Sequence, residues 1–369
     1  MLKYKSRDMP IEWIAAQIKG RQKAKVKLPS FFENKSIVFP PSLNLEQSSS
    51  EETAQFKAAF IKDLIGGQGG VGIDLTGGFG VDSIFLSKNF SRWHYVEPVK
   101  DLLETAKHNF GVLGTTNITC HNTSAETFLE NSPDATLVYI DPSRRVKSQK
   151  VFTLADCEPD VTTLQDKILK HTRHLIVKTS PLHDIQEGIR LLKHVKNVIV
   201  LSVANECKEV LFHIERNNFD RPTILAVDLP SNDQFTFTIE DESYAIPAFA
   251  EVKAFLYEPN SAILKAGAFK SVGNRFGLNK LHPNTHMYTS DEEKKDFPGR
   301  IWQIIDTVKF DNKSIASLLP ERKANVLTRN YPLSPDELKK QLGIKDGGEL
   351  YLIGFTDQKK KLVLAKRLK

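Results

Sequence analysis

A glycine-rich turn follows the first strongly apolar segment of the chain. Residues 71–75 have the pattern of a short buried strand, glycines stand at positions 77, 78 and 80, and residues 81–88 predict a helix. Glycines permit positive φ angles and let a ligand approach the backbone closely, and the first N–H groups of a helix face such a ligand. The run therefore predicts the ligand-binding crevice of a doubly wound α/β sheet.

Two common nucleotide-binding motifs do not match this turn. A P-loop needs Lys followed by Ser or Thr after its last glycine, whereas Gly80 is followed by Val81 and Asp82. The glycine spacing also differs from the Gly-x-Gly-x-x-Gly of dinucleotide-binding proteins. An ordinary glycine-rich turn stays open as an alternative. The next predicted strand, 92–96, favours a ligand site, because it ends in Glu97, where a carboxylate would hold ribose hydroxyls.

Apolar, strand-like segments alternate with helical ones through the first two thirds of the chain, which predicts a mostly parallel sheet with helices on both faces. The predicted strands are 71–75, 92–96, 117–120, 136–140, 174–178, 197–203 and 222–228. The predicted helices are 81–89, 98–112, 160–171, 184–194 and 206–219. The fold expected from this order is a seven-stranded, Rossmann-like α/β sheet.

Three motifs in this order resemble those of the class I S-adenosylmethionine-dependent methyltransferases, over roughly residues 50–230. They are Asp74-Leu75-Thr76-Gly77-Gly78-Phe79-Gly80, the acid Glu97, and Asp141-Pro142-Ser143-Arg144. The resemblance implies a seven-stranded sheet with an antiparallel last hairpin and S-adenosylmethionine as the cofactor. The cofactor-binding residues that it implies are Asp74, Gly77, Gly78, Gly80, Glu97, Thr123 and Ser124. The acid usual near the adenine is missing, and Asn122, Thr123 and Glu126 are the candidates to replace it.

The fourth-strand motif bears on the methyl acceptor. Methyltransferases of exocyclic amines commonly carry Asn/Asp-Pro-Pro-aromatic, and only Asp141-Pro142 keeps that pattern here. The predicted catalytic residues are Asp141, Pro142, Ser143 and Arg144, and the predicted substrate-binding residues are Arg145, Lys178 and Ser180. Asp141 could instead only cap the loop after its strand. No cysteine follows the fifth strand, so carbon-5 methylation through a cysteine nucleophile is disfavoured and methylation of a base nitrogen is favoured.

The chain divides into four predicted segments. They are an N-terminal helical and extended segment (1–48), a methyltransferase domain (49–243), a connecting subdomain (244–298) and a C-terminal α+β, ferredoxin-like or THUMP-like domain (299–369). Helices are expected over 11–19 and 260–270, and Ser48 with Glu51 predicts a capping box. The order expected over residues 300–366 is β-α-β-α-β-β, and Cys157 and Cys207 are expected to be buried. The segments 326–332 and 350–354 resemble a THUMP-like domain, which implies RNA as the partner. A domain with a purely structural role stays open.

Charge and composition narrow the function classes. Residues 1–27 hold eight Lys or Arg against two acids, and residues 321–369 hold twelve against six. Such basic ends favour contacts with a phosphate backbone, although solvated faces would look the same. Three cysteines without metal-ligand spacing, no apolar run of membrane length and no signal-peptide pattern predict a cytoplasmic protein without a metal or a membrane partner.

The function expected from these features is S-adenosylmethionine-dependent methylation of a base nitrogen in structured RNA, either rRNA or tRNA. Two alternatives remain. One is a non-enzymatic RNA-binding or assembly protein with a degenerate methyltransferase fold. The other is a methyltransferase that acts on a protein or a small molecule.

Overall fold

The computed structural model describes residues 11–144 and 153–369. The chain forms two compact units. The first comprises Met1–Val198 and Lys208–Arg221, and the second comprises Ile199–Cys207 and Pro222–Lys369. No helix in the described part of the chain is long and apolar enough to cross a membrane.

The elements up to residue 215 include those on both sides of the glycine turn. Their helices are α1 (Ile11–Lys27), α2 (Pro29–Glu33), α3 (Ser42–Gln47), α4 (Glu51–Leu64), α5 (Val81–Leu86), α6 (Lys100–Val112), α7 (Ala125–Phe128), α8 (Val161–His171) and α9 (Ile185–Leu191), with 3-10 turns at Ser87–Asn89 and Leu154–Asp156. Their strands are β1 (Gly69–Asp74), β2 (Phe90–Val96), β3 (Ile118–His121), β4 (Ala135–Ile140), β5 (Ser143–Arg144), β6 (Cys157–Glu158), β7 (Thr172–Thr179), β8 (Val195–Val203) and β9 (Glu206–Glu215).

The remaining elements run to the C-terminus. The strands are β10 (Thr223–Leu229), β11 (Asp233–Thr238), β12 (Phe255–Pro259), β13 (Asn279–His282), β14 (Thr285–Ser290), β15 (Gly299–Val308), β16 (Asn325–Arg329), β17 (Leu350–Thr356) and β18 (Lys360–Arg367). The helices are α10 (Ile239–Tyr244), α11 (Ser261–Ala266), α12 (Ser271–Phe276), α13 (Asn312–Leu318) and α14 (Pro335–Leu342).

The main sheet has nine strands in the order β11-β10-β8-β9-β7-β4-β1-β2-β3, so the expected number of seven is wrong. The sheet is also mixed. Strands β3, β2, β1, β4 and β7 run parallel to one another, whereas β9 is antiparallel to β7 and β11 is antiparallel to β10. The parallel part confirms the α/β alternation, and it places the carboxyl ends of β1 and β4 side by side.

The helix predicted over 206–219 is wrong, because this segment is strand β9. Its apolar residues have helical spacing, but all side chains from Glu209 to Glu215 are buried, as in a strand covered on both faces. Ala204 and Asn205 both have positive φ angles, 50° and 63°. Two such residues make a tight hairpin turn between β8 and β9.

Two smaller predictions about helix ends are also wrong. Ser50, not Ser48, caps α4, since its side chain accepts a hydrogen bond from the N–H of Thr53 at 3.2 Å. Ser48 instead ends α3. The helix expected over 260–270 stops at Ala266, because Gly267 adopts a φ of 86° and ends it. The N-terminal helix, expected over 11–19, extends to Lys27.

The C-terminal sheet has seven strands in the order β13-β14-β12-β15-β18-β17-β16. From β15 onward the order is β-α-β-α-β-β, as the sequence predicts. Each face of this sheet carries its own core. Leu352 lies in a cluster with Ile315 of α13 and Leu338 of α14, whereas its neighbour Ile353 lies in a second cluster with Trp302. The alternation along β17 therefore separates the two cores.

Candidate functional site

The exits of the adjacent strands β1 and β4 are joined by hydrogen bonds through Thr76. The backbone N–H of Thr76 donates to Asp74 Oδ1 at 3.0 Å, and the backbone N–H of Asp141 donates to the Thr76 hydroxyl oxygen at 2.6 Å. Parallel strands end at the same edge of the sheet, where ligands of open α/β folds bind. The two motifs that the sequence singles out therefore meet at one site.

The three glycines of the turn serve different purposes. A Cβ atom on Gly77 would lie 2.2 Å from the ring of Tyr95, and one on Gly80 would lie 2.7 Å from the ring of Phe110. These two glycines are required by packing within the protein. Gly78 has a φ of 57°, and a Cβ there would meet only the Thr76 carbonyl oxygen, at 3.7 Å. Gly78 is thus the glycine of the turn that leaves open space for a ligand.

Asp74 accepts hydrogen bonds from residues within and just after the turn. Its side chain is buried, and its Oδ2 accepts a hydrogen bond from the Ser83 hydroxyl at 2.6 Å. Ser83 in turn accepts a hydrogen bond from the Trp93 indole N–H at 2.9 Å. Burial raises the pKa of Asp74 to about 7, although the hydrogen bonds from Ser83 and Thr76 oppose the rise. The carboxyl group therefore holds the start of α5 against β1.

Glu97 lies directly beside the glycine turn. Its Oε2 accepts a hydrogen bond from the backbone N–H of Gly78 at 2.9 Å, and its Oε1 accepts one from the N–H of Val99 at 2.8 Å. Burial raises the pKa of this carboxyl group, while the two backbone hydrogen bonds lower it. The carboxylate is fixed next to the open side of Gly78, and its assignment to a ribose stays a prediction.

The loop after β3 holds the predicted residues Thr123 and Ser124. Ser124 caps α7, because its hydroxyl oxygen accepts a hydrogen bond from the N–H of Thr127 at 3.3 Å. Asn122 ties this loop to the Glu97 loop, since its side-chain amide donates to the carbonyl oxygens of Glu97 and Pro98 at 3.0 and 2.9 Å. Thr123 is half-buried and Glu126 is exposed. The loop lies beside Glu97, and the assignment of Thr123 and Ser124 to the cofactor stays a prediction.

Asp141 and Lys178 are brought together by β4 and β7. The Lys178 ammonium lies 2.5 Å from Asp141 Oδ2 and 3.5 Å from Asp82 Oδ2. Burial alone would lower the pKa of Lys178, but the carboxylates of Asp141, Asp82 and Glu209 raise it above its ordinary value. Burial raises the pKa of Asp141, and Lys178 opposes that rise. Lys178 is therefore an ammonium group at neutral pH.

The other residues predicted to be catalytic or substrate-binding are grouped less closely than Asp141 and Lys178. Pro142 is buried, and Ser143 is exposed and pairs with Glu158 across the short strands β5 and β6. The side chain of Arg144 and the whole of Arg145 lie outside the described residues. Ser180 follows β7, where its hydroxyl oxygen accepts a hydrogen bond from the N–H of Leu182 at 3.3 Å.

A buried network of charges beneath this pair was missed by the sequence analysis. Lys57 of α4 has no exposed surface, and its ammonium lies 2.9 Å from Asp82 Oδ1 and 2.8 Å from Glu209 Oε1. Ser49 accepts hydrogen bonds from Lys57 and Lys178 at 2.7 and 3.1 Å. These two ammonium groups hold the pKa of Asp82 well below its usual range, although burial opposes them.

Tyr139 of β4 completes the network. Its hydroxyl donates to Asp82 Oδ2 at 2.8 Å, and the Ser49 hydroxyl donates to the same oxygen at 2.8 Å. One sequence signal could have revealed the network. Thr53, Ala54, Lys57 and Ile61 are the buried residues of α4, so that a lysine occupies the face that otherwise packs in the core. A charged residue in a buried helical stripe predicts a buried partner.

The cysteines lie away from a metal-binding arrangement. Cys157 is buried, with its sulfur 3.9 Å from His183 Nε2, whereas Cys207, expected to be buried, is partly exposed. Within residues 11–144 and 153–369, no group of three or more His, Cys, Asp or Glu side chains is arranged to hold a metal ion.

The glycine turn after β1, Glu97 after β2 and the Asp141-Pro142 motif after β4 lie on a mixed, largely parallel sheet, which is a methyltransferase-like α/β fold. The comparisons agree. The crystal structure of a "putative methyltransferase" from Porphyromonas gingivalis W83 is 34% identical, with a TM-score of 0.86, and the match covers 99% of this chain and 93% of that one. This chain belongs to the same family, that of S-adenosylmethionine-dependent methyltransferases with a C-terminal THUMP-like domain.

Two further relatives come from Mycobacterium tuberculosis strains CDC 1551 and H37Rv. Each is described as an uncharacterized S-adenosylmethionine-dependent methyltransferase, and each is 26% identical over 261 residues, which is 70% of this chain and 69% of the relative. A ferredoxin-like domain model matches residues 255–298, and a THUMP domain-like model matches residues 299–367. The ferredoxin-like match thus falls before residue 299, where the sequence analysis expected such a domain to begin.

The buried position of Asp74 predicts a pH-dependent stability. Because the pKa of Asp74 is raised to about 7 in the folded protein, the folded state binds a proton more tightly than the unfolded state. This contribution is fully present below pH 4 and is lost as the pH rises to about 7. Asp74→Asn stays neutral, so its urea-unfolding free energy should lack this decline. The exposed control Asp63→Asn should keep the wild-type decline. Equal pH slopes for wild type and Asp74→Asn would contradict the assignment.

Removal of Lys57 should strongly destabilise the first unit. Lys57→Met leaves Asp82 and Glu209 buried without their shared ammonium group, and loss of one partner of a buried ion pair costs about 3–5 kcal/mol. Urea unfolding followed by circular dichroism measures this loss. Lys62→Met, at an exposed position on the same helix, should change stability by about 0.5 kcal/mol or less. A loss below about 1 kcal/mol for Lys57→Met would show that the network adds little to stability.

Proposed function

We propose that the protein methylates a nitrogen of a base in structured RNA, with S-adenosylmethionine as the methyl donor. The observation that carries the proposal is the position of the Asp141 carboxylate. It follows β4 next to the glycine turn, it is hydrogen-bonded to that turn through Thr76, and its side chain is 32% exposed beside a buried ammonium group.

The residues around Gly78 fit the cofactor. Gly78 leaves open space, Glu97 fixes a carboxylate beside it, and Asn122 holds the neighbouring loop in place. In this proposal Glu97 accepts hydrogen bonds from the ribose hydroxyls, and the loop of Thr123 and Ser124 faces the adenine. When bound, S-adenosylmethionine supplies an electrophilic methyl group. The protein then has to position a nucleophile in line with that group.

Asp141 is suited to orient an amine. The Lys178 ammonium lies against its Oδ2, and the Asp141 side chain is partly exposed. Oδ1 can accept a hydrogen bond from an amine N–H and can take the proton that the nitrogen releases on methylation. Lys178 is already protonated, so it orients Asp141 and cannot act as the base.

The C-terminal unit supports RNA as the substrate. A THUMP domain-like model matches residues 299–367. Residues 299–369 carry 15 Lys or Arg against eight Asp or Glu, an excess suited to a phosphate backbone. Methylation of a protein or a small molecule, and RNA binding without catalysis, are the competing functions that the experiments below would detect.

Loss of the Asp141 carboxylate should abolish methyl transfer to RNA. Total RNA from a strain that lacks this protein is incubated with tritiated S-adenosylmethionine and the purified protein. Wild type should label the RNA, whereas Asp141→Ala should lower the rate about 100-fold or more, since a positioned proton acceptor typically contributes 10²–10⁴-fold. Asp134→Asn changes an exposed acid just before the same strand and should label RNA at the wild-type rate.

Equilibrium dialysis with S-adenosylmethionine separates a catalytic defect from misfolding, because Asp141→Ala should retain the wild-type affinity. Label on protein or on a small molecule alone would contradict the RNA substrate. RNA binding without any label, and without cofactor binding, would favour the non-enzymatic alternative.

Glu97 should control the affinity for the cofactor. Glu97→Ala removes the proposed partner of the ribose hydroxyls, and hydrogen bonds to charged groups contribute about 1.5–3 kcal/mol. Isothermal titration calorimetry should therefore show S-adenosylmethionine binding at least about 10-fold weaker than in wild type. Glu104→Ala, on the exposed face of α6, serves as the control and should bind normally. Unchanged affinity in Glu97→Ala would place the ribose elsewhere.

A further inference from the structure

A groove of about 610 Å³ lies in the C-terminal unit. It runs between the end of β15, the start of β18, the loop after β16 and helix α14. Val308 and Leu362 are register partners in the adjacent strands and form part of its apolar wall. We call it the Tyr331 groove, and the lining residues that matter here are Val308, Lys309, Phe310, Tyr331, Leu333 and Lys360.

Two aromatic rings line this groove. Phe310 is 50% exposed, so its ring is open to a ligand. The ring of Tyr331 packs on Gly354, where a Cβ would lie 3.2 Å from the ring atoms, so the missing side chain makes room for it. Partial burial raises the pKa of Tyr331, and its hydroxyl stays neutral. The groove thus offers one fixed ring and one exposed ring.

Positive charge is available at the same place. Lys309 and Lys360 are exposed, and among the described residues neither takes part in a salt bridge. Lys361 differs, because its ammonium is paired with Asp357 at 2.8 Å and with Glu251 at 2.9 Å. The nearby Asp311 is occupied as the cap of α13, where it accepts a hydrogen bond from the N–H of Ser314 at 2.7 Å.

Aromatic faces beside unpaired ammonium groups are the combination that binds unpaired nucleotides. Bases stack on the rings, and lysines contact the phosphates. The volume of about 610 Å³ lies within the range of roughly 300–1,000 Å³ that small-ligand pockets occupy. The two exposed ammonium groups beside the rings favour an anionic ligand with flat, stacking groups.

We propose that the Tyr331 groove binds an unpaired nucleotide of the RNA substrate, with its base stacked on the exposed ring of Phe310 and its phosphate held by Lys309 and Lys360. This inference rests on the proposed function, since it assigns the contact through which the C-terminal unit would hold the RNA. It places recognition of a single-stranded segment in the groove and methyl transfer at Asp141.

The test uses the full-length protein and a fluorescently labelled single-stranded RNA octamer of mixed sequence. Phe310→Ala should weaken binding by about 5-fold or more, because loss of a stacking ring typically has this effect. Phe249→Ala is the matched control, since Phe249 is also 50% exposed and lies outside the groove. Because both positions are exposed, both variants should fold like wild type, and thermal denaturation checks this.

The lysine contacts have a separate signature. Lys309→Glu combined with Lys360→Glu should reduce the slope of log affinity against log salt by about 0.7, since the one phosphate that both lysines hold contributes about 0.7 on a single strand. Lys323→Glu, an exposed lysine outside the groove, should leave most of the slope unchanged. Fluorescence anisotropy measured from about 50 to about 300 mM salt yields the slopes.

The outcomes distinguish this inference from the proposed function. If wild type methylates RNA while the groove variants bind and methylate it as their controls do, the groove assignment is wrong and the function stands. If no RNA is methylated but the octamer binds through the groove, the groove assignment stands without the function. Binding of poly-glutamate as tightly as RNA, lost in the same variants, would identify an acidic protein partner and overturn the nucleotide assignment.

Discussion

Four buried charged side chains lie beneath the candidate site, and their pairing with one another and with the partly exposed Asp141 holds the surrounding elements in place. Removing a charge from water costs several kcal/mol, so each carboxylate here requires an ammonium group within reach. Lys57 pairs with Asp82 and Glu209, and Lys178 pairs with Asp82 and Asp141. These contacts link α4, α5, β4, β7 and β9. The geometry of the site therefore depends on charge pairing as well as on apolar packing.

The same network also holds the glycine turn in place. Asp82 lies in the first turn of α5, directly after the glycines, and it is held from β4 by Tyr139 and from the loop before α4 by Ser49. On the other side, Gly77 and Gly80 are packed against Tyr95 and Phe110. The turn is therefore confined from several directions. Only Gly78 remains beside open space, and so the turn presents a single defined face.

Sequence reasoning was strongest where the signal is local. The glycine turn, Glu97 and Asp141 are each recognisable from a few adjacent residues, and the alternation of strands and helices identifies the parallel part of the sheet. It failed at β9, because a strand buried on both faces carries the same apolar spacing as a helix. It also missed Lys57, Asp82 and Glu209. Lys57 and Glu209 are 152 residues apart, and no local pattern predicts such a pair.

The same contrast between local and distant contacts separates the proposed methyl-donor site from the proposed acceptor site. The proposed donor contacts come from one strand-turn-helix segment and the next strand, so they can be inferred from the sequence. The residues around Asp141 come from distant segments. Its partner Lys178 lies in β7, and the carboxylates of Asp141, Asp82 and Glu209 raise the pKa of Lys178. A protonated Lys178 lies against one oxygen of Asp141, and in the proposed function the other oxygen faces the nucleophile. The network beneath the site thus decides what the Asp-Pro motif can do chemically.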